Sequence, residues 1–160
     1  MVKVHITPKE ADLRVERAVQ LFKEGYNCSQ SVVGAFADLY GFTQEQALLM
    51  SASFGGGIGR MRQTCGAACG MFVLAGLQSG TTIGSDREGK SRNYAMVQQL
   101  AESFKKINGS IICAELLGLK SNAEITAQAS ERTDSYYKKR PCSEMVRTAA
   151  RLFANAISQD

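Results

Sequence analysis

The 160-residue chain contains no tryptophan, two prolines and a single histidine. Because that histidine, His5, lies close to the N-terminus, we do not expect a nucleophile that is activated by a histidine base. The carboxylates lie mainly on polar helix faces and form no pair suited to acid–base hydrolysis. The scarcity of these groups disfavours the common hydrolytic mechanisms.

Long apolar runs are absent as well. The longest, residues 71–77, is far too short to span a bilayer, and the N-terminal residues include no apolar run of signal-peptide length. We therefore predict a cytoplasmic protein without a membrane span. Permanent disulfides are disfavoured in that reducing compartment, so cysteines at special positions indicate metal or redox chemistry more often than stapling.

Neither sign of charge dominates the chain. The formal net charge is +4, with 44% hydrophobic and 21% charged residues, which is the balance of an ordinary globular protein. The basic residues are interspersed with acidic ones, and no nucleic-acid-binding motif is present. Nucleic acid is therefore not an expected partner.

The period-two alternation of strands is missing, except over residues 2–6. Most other segments have the spacing of a helix with one buried face, and many begin at a capping residue or a proline. The pattern predicts helices over residues 8–25, 27–41, 43–54, 65–78, 86–107, 110–117, 122–130 and 141–157. Residues 65–78 are apolar on nearly every side, which predicts a central, buried helix. We expect an all-α fold, a compact single-domain bundle over residues 1–160.

The placement of the cysteines is the most informative feature that is present. Four of the five fall in the first turn of a predicted helix: Cys28, Cys65, Cys113 and Cys142. The unpaired backbone N–H groups and the helix dipole favour a thiolate there, which is the form that attacks disulfides and binds metals. The fifth, Cys69, lies one turn further into its helix. A core position is the favoured interpretation of Cys69, and a resolving thiol or an extra ligand is the alternative.

Two arginines, Arg60 and Arg62, lie a few residues before Cys65. Positive charge near a thiol favours its ionised form, so these side chains support a thiolate at Cys65. The alternative, in which both arginines are ordinary solvated surface residues, has equal weight.

A glycine-rich segment precedes the densest cysteine motif. Glycine lets backbone or a cofactor approach closely, so the glycines around this motif are candidate cofactor-binding residues. They are Gly55, Gly56, Gly57, Gly59 and Gly66. The segment lacks the Gly-Lys-Ser/Thr ending of a phosphate-binding loop and follows no strand, which disfavours a nucleotide.

Together these motifs resemble the C_GCAxxG_C_C family, whose redox role is assigned from its cysteines. The resemblance covers residues 13–153. Its motifs are residues 25–32 (GYNCSQSV), 54–61 (FGGGIGRM), 65–67 (CGA) with Gly70, and 109–118 (GSIICAELLG), closed by Cys142 with Val146. It implies that Cys28, Cys65, Cys113 and Cys142 are the hallmark cysteines and that Cys69 occupies a variable position.

The resemblance implies a redox-active protein that uses the four cysteines for electron transfer or thiol–disulfide chemistry, with an unidentified redox partner. Related domains occur beside electron-transfer modules, which makes a [2Fe–2S] cluster held by the four thiolates an alternative, with zinc less favoured. A binding module with buried structural cysteines is the remaining alternative, and a homo-oligomer is left open. The absence of a Cys-x-x-Cys pair weakens a thioredoxin-like mechanism. We expect the four sulfurs to gather at one end of the bundle.

Overall fold

A computed structural model describes residues 3–159, and these residues form eight α-helices and no strand, which confirms the predicted all-α fold. The helices are α1 (Pro8–Lys23), α2 (Cys28–Gly34), α3 (Gln44–Ser51), α4 (Gly66–Ser79), α5 (Arg87–Asn108), α6 (Cys113–Leu116), α7 (Asp134–Lys139) and α8 (Cys142–Ile157). Two 3-10 helices cover Ala37–Tyr40 and Ala52–Phe54. No helix within residues 3–159 combines the length and the apolar character that crossing a bilayer requires.

Helix α4 lies at the centre of the fold, as its apolar composition predicts. It contacts α2, α5 and α8, and none of its residues is exposed. Gly70 permits the closest of these approaches, because a Cβ atom there would lie 3.0 Å from the carbonyl oxygen of Ser29 and from Cβ of Val32. The small residues at the start of α4 therefore allow α2 to pack tightly against it.

Helices α1 and α8 pack along each other and close one side of the core. The predicted start of α1 is confirmed: the Thr7 hydroxyl accepts a hydrogen bond from the Glu10 N–H at 3.1 Å. Residues 4–6 are fixed to the rest of the fold, since the Ile6 N–H donates to Ile157 O at 3.1 Å and the Gln78 amide donates to Val4 O at 2.9 Å. These bonds hold the segment directly before α1 in place, although His5 itself is exposed.

Several predicted elements differ from the observed ones. The helix predicted over residues 27–41 is split into α2 and the 3-10 helix Ala37–Tyr40, which is followed by Gly41 with a φ of +85°. The helix predicted over residues 122–130 is wrong: this segment is irregular and almost wholly exposed, so no buried face stabilises a helix. Residues 3–6 form only a single bridge at Ile6, and residue 2 lies outside the described part of the chain.

Helix α7 was not predicted from the sequence. The Thr133 hydroxyl caps it by accepting from the Tyr136 N–H at 3.1 Å. The rings of Tyr136 and Tyr137 pack against Phe22 near the end of α1, with centroid distances of 6.4 and 5.9 Å. This packing, rather than intrinsic propensity, supports so short a helix.

Candidate functional site

The four hallmark cysteines lie where helices begin, as predicted. Cys28, Cys113 and Cys142 are the first residues of α2, α6 and α8, and Cys65 directly precedes α4. All four line one small cavity of about 60 Å³, whereas Cys69 is not among its lining residues. A space of this size accommodates a few water molecules at most. Folding therefore brings together four residues that are up to 114 positions apart, from 28 to 142.

Cys65 and Cys113 are brought together by backbone pairing. The Cys65 N–H donates to Ile111 O at 2.7 Å, and the Cys113 N–H donates to Gln63 O at 2.6 Å. These bonds flank an antiparallel bridge between Thr64 and Ile112. The pairing joins the starts of α4 and α6 and fixes both cysteines in the cavity wall.

The glycine-rich segment forms a left-handed turn over these two cysteines. Residues 56–60 all have positive φ, between +56° and +75°, and they include the β-branched Ile58 at +66°. Non-glycine residues in this region cost on the order of 1–2 kcal/mol each. The turn is held by its own backbone bonds, such as the Gly59 N–H to Ser53 O at 2.7 Å. Backbone strain of this kind is concentrated at functional sites, so its presence beside the cavity supports a functional role for the cavity.

Two glycines of this region pack so closely against neighbouring atoms that neither position has room for a side chain. A Cβ atom at Gly57 would lie 2.5 Å from Cβ of Cys113, and one at Gly66 would lie 2.8 Å from Phe54 O. Of the five candidate cofactor-binding glycines, Gly56, Gly57 and Gly66 line the cavity, whereas Gly55 and Gly59 line the pocket beside it. Close packing of the protein on itself accounts for at least Gly57 and Gly66, and a cofactor-binding role for the set stays a prediction.

Cys28 and Cys142 form a thiol pair. The neighbouring Cys28 thiol, helped by Arg140 and Arg132, lowers the pKa of Cys142 to about 7 against the opposing effect of burial. The neighbouring Cys142 and burial raise the pKa of Cys28 well above its ordinary value. At pH 7 about half of the Cys142 side chains are therefore thiolates, whereas Cys28 keeps its proton.

The pKa of Cys65 differs from the sequence-based expectation. Burial raises the pKa of this thiol to about 12, although backbone N–H groups of Ala68 and Ala67 oppose the shift. Burial also raises the pKa of Cys113, and Arg62, whose Nη1 lies 3.8 Å from the Cys113 sulfur, only partly offsets it. The expectation of a thiolate at Cys65 was wrong because desolvation outweighs the helix dipole.

The arginines before Cys65 have separate roles. Arg62 contacts Cys113, whereas Arg60 turns away and donates to Thr126 O at 3.1 Å and to the carbonyl of Gln128. Arg60 therefore holds the irregular segment before α7 against the glycine turn. Neither arginine is among the main causes of the Cys65 pKa shift, so of the two sequence-based alternatives the one with a supported thiolate at Cys65 gains no support.

Three residues of the site were not singled out from the sequence: Arg132, Tyr136 and Arg140. Arg132 donates to Phe22 O and Tyr26 O, both at 2.9 Å, and so ties the start of α7 to the loop that precedes Cys28. The guanidinium carbon of Arg140 lies 4.9 Å from the ring centroid of Tyr136. All three side chains line the cysteine cavity, which no carboxylate lines.

The spacing of the cysteines bears on the predicted metal ligands. Within residues 3–159, no three His, Cys, Asp or Glu side chains lie close enough together to share one metal ion. A structural zinc ion takes four such ligands at once, so this arrangement of the cysteines lends zinc no support, and zinc stays a prediction. The [2Fe–2S] cluster stays a prediction, because its two irons each take two thiolates and four cysteines line the cavity.

Cys69 is buried outside the cavity, with its sulfur 3.7 Å from Thr64 O. We expect the Cys69→Ala variant to keep the thiol reactions of the cavity and to lose only about 1 kcal/mol of the free energy of unfolding, as for a small buried group. Thiol titration and denaturant unfolding measure the two quantities. A loss of cavity reactivity equal to that of a Cys142 variant would contradict the core assignment.

Comparison with known proteins supports the assignment of the cysteine pattern. Residues 26–156 match the family described as "Putative redox-active protein (C_GCAxxG_C_C)". The chain is also 26% identical over 158 residues to an uncharacterized protein from Archaeoglobus fulgidus, a match that covers 93% of this chain and 96% of that protein. No solved structure matches the chain. Because the family match spans most of the chain and all four hallmark cysteines, the protein belongs to the C_GCAxxG_C_C family.

Proposed function

We propose that this protein is a thiol–disulfide redox protein in which Cys142 attacks and Cys28 resolves. The observation that carries the proposal is the position of both thiols in the wall of one cavity, where Cys28 lowers the pKa of Cys142. A nucleophilic cysteine is most effective when its pKa is close to the ambient pH, and the pKa of Cys142 is about 7. Its partner retains its proton and can deliver it to a leaving group.

The reaction balances with a disulfide as the oxidant. The Cys142 thiolate attacks one sulfur of the substrate disulfide, the substrate S–S bond breaks, and the first substrate thiolate leaves and takes the proton of Cys28. The Cys28 thiolate then attacks the Cys142 sulfur of the mixed disulfide, which releases the second substrate thiolate to be protonated by solvent. Two electrons pass from the cysteine pair to the substrate, and a thiol reductant returns the pair to its starting state.

The surrounding residues support this assignment of roles. Arg140, Arg132 and the Tyr136 hydroxyl each lower the pKa of Cys142, because they stabilise negative charge on its sulfur. Cys65 and Cys113 remain protonated at neutral pH because burial raises the pKa of both. They line the same cavity as the reactive pair.

The test is oxidation of the reduced, metal-free protein by hydroxyethyl disulfide. We expect the count of free thiols to fall from five to three, and peptide mapping should locate the new disulfide between Cys28 and Cys142. The Cys28→Ser variant should stop at a mixed disulfide on Cys142, since it has no resolving thiol.

Two outcomes would contradict the proposal. One is a first disulfide that joins other cysteines. The other is protein purified without oxygen that holds stoichiometric iron with a visible charge-transfer band, which would support the [2Fe–2S] prediction instead.

A further inference from the structure

A second pocket adjoins the cysteine cavity. It has a volume of about 560 Å³ and is open to solvent. Six residues line both spaces, among them Arg62, Arg132, Tyr136 and Arg140. We call this pocket the vestibule. Its volume lies in the range of small-molecule sites.

The vestibule is lined by unpaired positive charge. Four arginines line it, namely Arg60, Arg62, Arg132 and Arg140, and no carboxylate does. Within residues 3–159 none of the four forms an ion pair with a carboxylate, although arginines elsewhere do so. All four are half-buried, so their charges are less screened than those of fully exposed side chains.

Arg62 and Arg140 keep N–H donors free for a ligand. The other two arginines, Arg60 and Arg132, already donate to backbone carbonyls, so they contribute mainly their charge. Arg140 stacks on Tyr136, and Arg62 makes one long contact with the Cys113 sulfur. A guanidinium group with free N–H groups binds a carboxylate or a phosphate in a fork geometry.

We infer that the substrate is a small disulfide that carries carboxylate or phosphate groups, bound in the vestibule by Arg62 and Arg140. This inference rests on the proposed thiol function and names its substrate class. The concave shape and the limited volume favour a small molecule over a protein partner, which docks on a broader surface. The anionic groups hold the substrate at the mouth of the cavity, where its S–S bond meets Cys142.

The test compares two chromogenic disulfides, the dianionic 5,5′-dithiobis(2-nitrobenzoate) and the neutral 4,4′-dithiodipyridine. Each rate with the reduced protein is divided by the rate of N-acetylcysteine amide with the same reagent. The anion preference is the ratio of the two normalised rates. Changes in the thiolate fraction of Cys142 affect both reagents alike and cancel in this ratio.

We expect an anion preference well above one that falls about fivefold in Arg62→Gln and in Arg140→Gln, and that falls with added salt. Arg92→Gln is the matched control, since Arg92 is exposed on α5 and pairs with Glu88 away from the vestibule. A preference near one, or one that all three variants leave unchanged, would overturn the inference while leaving the thiol function standing. No reaction of the neutral reagent at Cys142 would instead overturn the proposed function, and the inference with it.

Discussion

The Cys142→Ser variant is expected to lose almost all of the rapid alkylation by iodoacetamide at pH 7. With a pKa of about 7, Cys142 is half ionised at that pH. An unperturbed cysteine is only about 3% ionised there. Burial holds the pKa of Cys65 at about 12 and that of Cys69 at about 11. No other cysteine therefore replaces the reactivity of Cys142, and the residual rate should be lower by tenfold or more.

The pH profile of alkylation identifies the group more closely. In the wild-type protein the rate should rise with pH and reach half of its maximum near pH 7, because the thiolate is the reacting form. In Cys28→Ala the midpoint should shift upward, since the Cys28 thiol is the main cause of the lowered pKa of Cys142. Cys65→Ser is the control and should keep both the rate and the midpoint. A wild-type midpoint at or above that of free cysteine would contradict the assignment of Cys142.

Local sequence signals predicted most helix starts and the location of the hallmark cysteines. Capping acts between residues three positions apart, so it can be predicted from a local pattern such as Thr43 with Gln46. In the structure these two residues form a reciprocal capping box. The central position of α4 was also predictable, because its residues are apolar on nearly every side. Helix length was less predictable, since helix termination depends on tertiary packing.

The chemistry within the site depends on contacts that no local pattern reveals. Arg132 reaches Phe22 and Tyr26, which are 110 and 106 positions away, and these contacts set where α7 lies. The identity of the attacking cysteine depends on burial, which the helix-start argument does not include. For that reason the sequence favoured Cys65, whereas the structure places the low pKa at Cys142.

The left-handed glycine turn makes a second prediction of large effect, on stability. In Gly57→Ala the new methyl group would lie 2.5 Å from Cβ of Cys113 and 2.8 Å from Cα of Arg62, so the backbone must move. The φ of +75° adds strain for any residue with a side chain. We expect a loss of more than about 4 kcal/mol in the free energy of unfolding, or failure to fold, as for severe core defects.

The neighbouring Gly59→Ala variant separates the clash from the backbone strain. Gly59 has a similar φ of +56°, but the nearest heavy atom to its Cβ position is 4.0 Å away. The Gly59→Ala variant should lose only about 1–2 kcal/mol of the free energy of unfolding, which is the cost of a left-handed conformation alone. Denaturant unfolding of both variants measures the difference, which reports how tightly the turn packs on Cys113. Equal losses in the two variants would mean that the turn yields easily, and that it does not hold the Cys113 side of the cavity in place.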